Sequence, residues 1–402
     1  MNSYEKCHVI EATVLRRRGG DAIARSRTGS RLISGFARSI AVVSLSVVVL
    51  VAQLWCPQAN ARMFQQALPG YHYSFPRDHY SHDQYKTEWW YFTGHLHADS
   101  GRLFGYELTF FRTGLNQDDD DPGPWNLRNI YLAHFAVTDD AGHKFFYQER
   151  MNRAGLGTAG AAQDKGHVFN QTWSMDLKDG QFLLKADTPQ YALNLALKPG
   201  KPLVIHGLGG VSQKADCKGC ASHYYSFTRM ATTGSVSVDG HVMPVRGLSW
   251  MDHEFGSNQL AEQQVGWDWY SLQLSNNSEI MLYLMRNADG SIDKNSSGTL
   301  VNSDGTSTHL MLNEFSVKSV GQWKSPKTGG LYPMAWTISV PAAHAELKVD
   351  PIMNDQELVT NSAGVTYWEG ACKVSGTCNK AAVNGEAYVE MTGYAEKFSE
   401  KI

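Results

Sequence analysis

The sequence predicts an all-β chain built as two related antiparallel β-barrels packed together. Three observations carry that prediction. Apolar and polar residues alternate over short runs, as in GRLFGYELTFFRTG, and helical periodicity is scarce. Asp-Gly pairs at Asp179-Gly180, Asp239-Gly240, Asp289-Gly290 and Asp304-Gly305 separate the runs, and this dipeptide suits tight hairpin turns. A third pattern occurs twice: a Trp-Tyr strand, a hairpin, and an apolar strand ending in arginine. EWWYFTGHL leads into FGYELTFFR, and GWDWYSLQL leads into IMLYLMR, so that Trp90-Tyr91 answers Trp269-Tyr270 and Arg112 answers Arg286. A duplicated barrel explains the repeat, with one unit over residues 62–234, the other over 235–402, and the boundary near Thr233-Gly234.

Ahead of the barrels, residues 1–61 read as a long basic leader and signal peptide. Arginines from Arg16 to Arg38 precede the apolar run Ile40 to Trp55, and Ala59-Asn60-Ala61 offers a small-x-small cleavage site. The apolar run is short for a membrane-spanning helix, although retention as an anchor is the alternative. Export implies a periplasmic or secreted protein in an oxidising space, with no stable membrane span after cleavage. Of six cysteines, Cys217, Cys220, Cys372 and Cys378 lie beyond the leader. Three pairings are open, and the close spacings favour Cys217–Cys220 and Cys372–Cys378. The formal charge of −3 over 402 residues points to neither nucleic acid nor an anionic membrane as partner. Four consecutive aspartates, Asp118 to Asp121, lack the spacing of a calcium loop and read as a solvated loop.

The strongest chemical candidate is SWMDHEFGS, in which Asp252, His253 and Glu254 stand in a row. Regular alternation would put Trp250, Asp252 and Glu254 on one face and His253 on the other, so convergence of all three requires a bulge or bend near Gly256. The next strand, GWDWYSLQL, supplies Trp267 and Trp269 on one face and Asp268 and Tyr270 on the other. Aromatic walls beside a carboxyl raise its pKa and keep a proton available for donation. The bland alternative is a core of tryptophans and a hydrogen-bonded ring of charges closing a barrel end. In KTEWWYFTGHLH, Lys86, Glu88 and Trp90 share a face, which suggests a buried Lys–Glu pair, and Glu107 stands among apolar residues as another buried acid. His95 and His97 could face one metal, but no third ligand is evident. No nucleophile elbow, phosphate loop or dinucleotide fingerprint is present.

Together TEWWYFTG, AHFAVTD, YYSFTRM, LSWMDHEFGS, GWDWYSLQL, WKSPKTGGLYP, YWEG and YVEMTGY resemble a secreted lipocalin-like family, over about Tyr71 to Phe398. That family contains hydroxyneurosporene synthases (carotenoid 1,2-hydratases) and proteins labelled predicted secreted hydrolases, with lipocalin-like Diels–Alderases as distant relatives. The resemblance implies two lipocalin-like barrels, an apolar cavity between or within them, and no cofactor or metal. It implies a hydrophobic, isoprenoid or lipid-like small molecule as partner and leaves the oligomeric state open. His253, Asp252 and Gly256 match the hydratase motif, whereas Glu254 and Phe255 replace its asparagine and tryptophan. Tyr283 matches a hydratase tyrosine, but no acid follows it, so Asp252, Glu254 or Asp268 would have to donate the proton. The expected activity is cofactor-independent hydration or hydrolysis, with Asp252, His253 and Glu254 catalytic. Trp250, Phe255, Trp267, Asp268, Trp269, Tyr270, Tyr283, Glu88 and Trp90 are the expected binding residues. A non-catalytic carrier and a cyclisation catalyst are the alternatives.

Overall fold

The computed structural model describes residues 63–115, 127–258, 260–360 and 364–398. The leader and the aspartate run lie outside them. From Ala61 onward the chain is one compact unit. It contains two antiparallel sheets, and among the described residues no helix is long and apolar enough to cross a membrane.

The first sheet comprises β1 (Thr87–Ala98), β2 (Leu103–Gly114), β3 (Asn129–Asp139), β4 (Lys144–Arg153), β5 (Ala159–Ala161), β6 (His167–Asn170), β7 (Trp173–Lys178), β8 (Gln181–Asp187), β9 (Tyr191–Pro199), the short β10 (Val204–Ile205) and β11 (Ser212–Gln213), β12 (Ala221–Val238) and β13 (His241–Asn258). Its main order is 4-3-2-1-13-12-9-8-7-6-5. The two ends nearly close into a barrel. Asn170 on β6 donates to the carbonyls of Tyr131 and Arg150, and Arg150 donates back to the Asn170 carbonyl. The second sheet comprises β14 (Gln264–Leu274), β15 (Glu279–Asn287), β16 (Ser297–Val301), β17 (Ser307–Met311), β18 (Ser316–Lys324), β19 (Leu331–Val340), β20 (Ala345–Pro351), β21 (Glu357–Val359), β22 (Thr366–Cys378) and β23 (Ala381–Thr392). It curls into a half-barrel with main order 17-16-15-14-23-22-20-19-18.

Turn chemistry sets the hairpin registers. Asp179-Gly180 and Asp239-Gly240 each place two successive residues at positive φ, and they join Lys178 to Gln181 and Val238 to His241. The second of these turns makes β12 and β13 one long hairpin. The expected barrel boundary at Gly234 therefore falls inside β12, and the first sheet runs on to Asn258.

Alternation gives each sheet two distinct faces. Trp90, Phe92, Tyr106, Leu108, Phe135 and Met251 fill the first barrel, while Tyr270, Leu272, Leu282, Trp336, Trp368 and Val389 fill the second. The opposite faces meet in a seam built on Tyr91, Tyr224, Trp250, Trp269, Tyr283 and Tyr388. The internal repeat is visible as matching ion pairs. Arg112 on β2 holds Glu88 on β1 at 3.1 Å, and Arg286 on β15 holds Asp268 on β14 at 2.9 Å.

The cysteine expectation divides. Cys217 and Cys220 are bridged, but Cys372 and Cys378 are both free and buried. The latter pair lies on the single extended strand β22. Six residues of strand span about 20 Å, whereas a disulfide needs Cα atoms within about 7 Å. Closeness in sequence is separation in space once the segment is a strand.

Candidate active site

A cavity of about 1270 Å³, counted to its open mouth, lies in the seam between the two sheets. Its first wall is the outer face of the first barrel. Trp89 and Tyr91 come from β1, Glu107, Thr109 and Phe111 from β2, His134 from β3, and Asp252 and Glu254 from β13. Trp267, Trp269, Tyr283, Tyr367 and Glu390 form the facing wall on the second sheet. The walls touch through aromatic contacts, with Trp89 stacked on Trp267 at 5.9 Å and Tyr91 edge-on to Trp269 at 5.3 Å.

Strand regularity decides what β13 presents. Its pairing with β1 runs without a shift from Thr87↔Gly256 to Ala98↔Val245. Against β12 the register shifts twice: between Phe227 and Met230, opposite Trp250, and between Ala221 and Ser222, where Ser257 of β13 is the extra residue. The second is the irregularity anticipated at Gly256, and it lies beyond the Asp252–Glu254 run. Gly256 is needed where β12 shifts register again, because a Cβ there would lie 2.7 Å from the Ala221 carbonyl oxygen. Asp252 and Glu254 consequently face the cavity, and His253 points into the first barrel. The structure does not bring the three together.

On the cavity side, Asp252 accepts hydrogen bonds from Tyr224 Oη at 2.8 Å, Trp250 Nε1 at 2.6 Å and Ser226 Oγ. Burial outweighs these donors and, with the Glu254 charge beside it, pushes the Asp252 carboxyl up to about 7. Trp269 Nε1 donates to Tyr224 Oη at 3.1 Å, so an indole, a phenol and a carboxyl form a chain. Glu254 lies 3.4 Å from Lys214 Nζ. Burial would push Lys214 down, but Glu254, Tyr283 and Asp252 hold its pKa above the usual value. The Lys214 ammonium also sits over the Tyr283 ring at 4.2 Å. Glu390, which accepts from Trp267 Nε1 at 3.2 Å, is raised by burial to about 8. Glu107 is raised by burial to about 7. Glu369, just behind the wall and hydrogen-bonded to Tyr91 Oη at 2.6 Å, is also raised by burial and by neighbouring carboxyls. Near neutral pH Glu390 is therefore largely protonated, Asp252 and Glu107 are each about half protonated, and Lys214 compensates Glu254.

Inside the barrel the arrangement is different. His253 Nε2 lies 2.9 Å from Glu88 Oε1 and His253 Nδ1 lies 2.9 Å from Tyr225 Oη. Glu88 also contacts His82 Nδ1 at 2.7 Å and Arg112, and His82 Nε2 reaches Asp78 at 3.1 Å. Burial would raise Glu88, but His82, His253 and Arg112 hold it well below the usual range. Burial would likewise lower His82, but Glu88 and Asp78 hold its pKa above the usual value and favour its charged form. His253 itself is pushed down by burial. His82, Glu88 and His253 bring ligand atoms within 4.8 Å of one another, the residue types of a metal site. Their donors already serve one another, however, and His82 and Arg112 supply the positive charge that a metal would bring.

Of the expected binding residues, Trp267, Trp269 and Tyr283 line the cavity. Trp250 supports it from behind through its bond to Asp252. Glu88, Trp90 and Phe255 lie inside the first barrel, where Phe255 stacks on His82 at 3.7 Å. Asp268 and Tyr270 lie inside the second, with Asp268 held by Arg286 and Tyr394. The expected partner of Glu88 was Lys86, but the structure supplies Arg112, carried across the hairpin by the Glu88↔Arg112 register. Sequence reasoning did not place Tyr224, Lys214, His134, Tyr367 or Glu390 at the site. The available signal was an ionisable or phenolic residue on the polar phase of an apolar strand, as at Glu390 between Tyr388 and Thr392.

The fold and this seam define a member of the AttH-like family. The family match covers residues 66–394, and the chain belongs to it. Among individual relatives, the crystal structure of an AttH protein of Nitrosomonas europaea is 30% identical, superposes with a TM-score of 0.75, and covers 82% of this chain and 99% of its own. The dehydratase asqC of Emericella nidulans is 26% identical over 172 residues, 41% of this chain and 46% of the dehydratase. The kievitone hydratase of Fusarium solani is 23% identical over 165 residues, 40% of this chain and 46% of the hydratase. The chain thus spans about half the length of the curated relatives it matches.

Proposed function

We propose that this protein adds water to, or removes it from, a hydrophobic small molecule held in the seam cavity, without a cofactor. The observation that carries this reading is an aromatic cavity whose wall raises the Asp252 carboxyl to about 7, so that a proton remains available there near neutral pH. The relatives named as a dehydratase and a hydratase support it.

In the hydration direction Asp252 transfers its proton to one alkene carbon. The cation at the other carbon lies among the faces of Trp267, Trp269 and Tyr91, where the ring quadrupoles stabilise it. Water bonds to that carbon and returns a proton to the Asp252 carboxylate, which closes the cycle. Tyr224 and Trp269 fix the carboxyl, and Glu254 with Lys214 sets the local charge. Glu390 is a second donor facing the same space. The basic leader and the Cys217–Cys220 bridge support an exported location as part of this reading.

The test is incubation of the purified protein with isoprenoid alkenes and with the matching tertiary alcohols, read by mass for gain or loss of one water. Turnover that falls with Asp252→Asn supports the proposal. Unchanged turnover in that variant removes Asp252 from the chemistry, and tight binding with no turnover of any compound favours the carrier alternative.

A further inference from the structure

The wall of the seam cavity carries a second polar pole, distant from Asp252. His134 and Glu107 both line the cavity and are 1% and 0% exposed. His134 Nδ1 lies 2.5 Å from Tyr367 Oη, and Tyr367 Oη donates to Glu107 Oε1 at 3.1 Å. Thr109 Oγ1 donates to the same oxygen at 2.8 Å. The other atom of each group, His134 Nε2 and Glu107 Oε2, is buried with no hydrogen-bond partner. Buried polar atoms are rarely left unmatched, because each loses its hydrogen bonds to water with nothing to replace them. Glu254 Oε1 in the same wall also lacks a hydrogen bond but has the Lys214 ammonium at 3.4 Å. His134 Nε2 and Glu107 Oε2, both on residues bonded to Tyr367, have no such counter-ion among the described residues and mark where a ligand atom belongs.

Their chemistry selects that atom. Burial pushes His134 down to about 3, so the ring is neutral. With Tyr367 donating to Glu107, the Nδ1 proton of His134 points to the Tyr367 oxygen, which leaves Nε2 as an acceptor. Glu107, raised toward neutrality, offers at Oε2 either a proton or a lone pair. A hydroxyl meets both demands, since it donates to Nε2 and exchanges a hydrogen bond with Oε2. An ether oxygen cannot donate, and a carboxylate would be a buried anion beside an acid that burial already drives toward neutrality, with no cation among the described residues to answer it.

The distance to the reacting end follows from strand register. Asp252, Tyr91, Thr109 and His134 lie in one row across β13, β1, β2 and β3, each opposite the next. Three strand spacings separate Asp252 from His134, about 14 Å. One double bond cannot touch both poles, so they engage different ends of one molecule, with Tyr91 beneath its middle.

We infer that the substrate is an elongated, largely apolar molecule with a hydroxyl, alcoholic or phenolic, at the end remote from the reacting carbons, and that His134 and Glu107 are the residues that select it. This inference rests on the proposed use of the seam cavity, but it does not require Asp252 to be the acid.

The experiment measures binding of 4-octylphenol and of its methyl ether, 4-octylanisole, to the full chain by quenching of tryptophan fluorescence. The wild type is expected to bind the phenol about tenfold more tightly than the ether, one hydrogen-bonded group's worth of discrimination. His134→Phe and Glu107→Leu are each expected to reduce that ratio to about one while leaving ether affinity within about twofold. Two variants guard against one failing to fold, which circular dichroism reports. Equal affinity for the two probes, no binding of the phenol, or a ratio that survives both substitutions overturns the inference. Asp252→Asn is expected to keep the ratio, so a protein with no turnover but intact phenol selection refutes the reaction and leaves this inference standing.

Discussion

Asp252 and His253 are neighbours in the chain and occupy opposite electrostatic worlds. On the barrel side of β13, His253 joins Glu88, His82, Asp78 and Arg112, and opposite charges answer one another at 2.7–3.1 Å. On the cavity side, Asp252, Glu390 and Glu107 are buried with few cations in reach, and burial raises them to about 7, 8 and 7, so that protons remain available near neutral pH. The first arrangement spends its charges on itself and is suited to hold a barrel end shut. The second leaves protons to give away. Burial alone does not separate structure from chemistry here; what separates them is whether the buried acid has a cation.

The largest effect expected from this contrast is on stability. Glu88→Ala leaves Arg112 and His82 buried without their carboxylate, and breaking such a pair costs about 3–5 kcal/mol. A urea melt should show that loss. A variant as stable as wild type would mean that the barrel cluster is not a lock. The same cluster sets an acid limit. Glu88 is depressed, so its contribution is present above the usual glutamate pKa and is lost as pH falls through its folded value.

Asp252→Asn should behave oppositely. It keeps the side chain's shape and removes a buried acid whose pKa is raised, so the variant should be no less stable than wild type, with a margin that grows as pH rises above the ordinary carboxylate range. Removing a positioned acid typically costs about 10²–10⁴-fold in rate. A rate loss below tenfold in the hydration assay would assign the proton to another group, with Glu390 the first to test.

Glu390→Gln should give a smaller, pH-dependent stabilisation. Burial pushes its carboxyl up to about 8, against an ordinary value of 4.5. Between those values the folded protein holds a proton that the unfolded chain has lost, so the carboxyl contributes stability at low pH that disappears as pH rises. Glutamine carries no such penalty. The variant and wild type should melt alike at pH 4 and diverge toward pH 8, by about 1–4 kcal/mol. Parallel curves would show Glu390 ionised in the fold.

How much of this was legible in the sequence follows from the same period-2 rule. Alternation separates Asp252 and Glu254 from His253, and Trp267 and Trp269 from Asp268 and Tyr270, and the strands obey it. The twin hairpins and the Asp-Gly turns at 179 and 239 were equally readable, because they are local. Assigning Glu88, Trp90 and Phe255 to binding ignored that rule, since their shared face is the barrel interior. What alternation cannot supply is the facing sheet. Glu390 and Tyr367 reach the cavity only because β22 and β23 pack across from β1 and β2, and no spacing in the chain encodes that distance. Cys372 and Cys378 fail for a related reason: sequence closeness was read as spatial closeness on a segment that is extended.

The smallest predicted effect probes the support behind the acid. Trp250 lies beneath Asp252 and donates from Nε1 at 2.6 Å. That bond favours the carboxylate and lowers the Asp252 pKa. Trp250→Phe removes the donor while keeping an aromatic ring against Trp269, which it meets at 6.0 Å. Burial then acts with one opponent fewer, and the carboxyl holds its proton to higher pH. A hydrogen bond of this kind is worth about 0.5–1.5 kcal/mol, so the alkaline limb of the hydration rate should move up by about one pH unit or less. A shift to lower pH would mean that the indole sustains the acid form. No shift would place the controlling ionisation at Glu390 or Glu107. A pH–rate profile that moves upward with Trp250→Phe, and stays put with a substitution at His253 on the opposite face, would tie the proton chemistry to one side of a single strand.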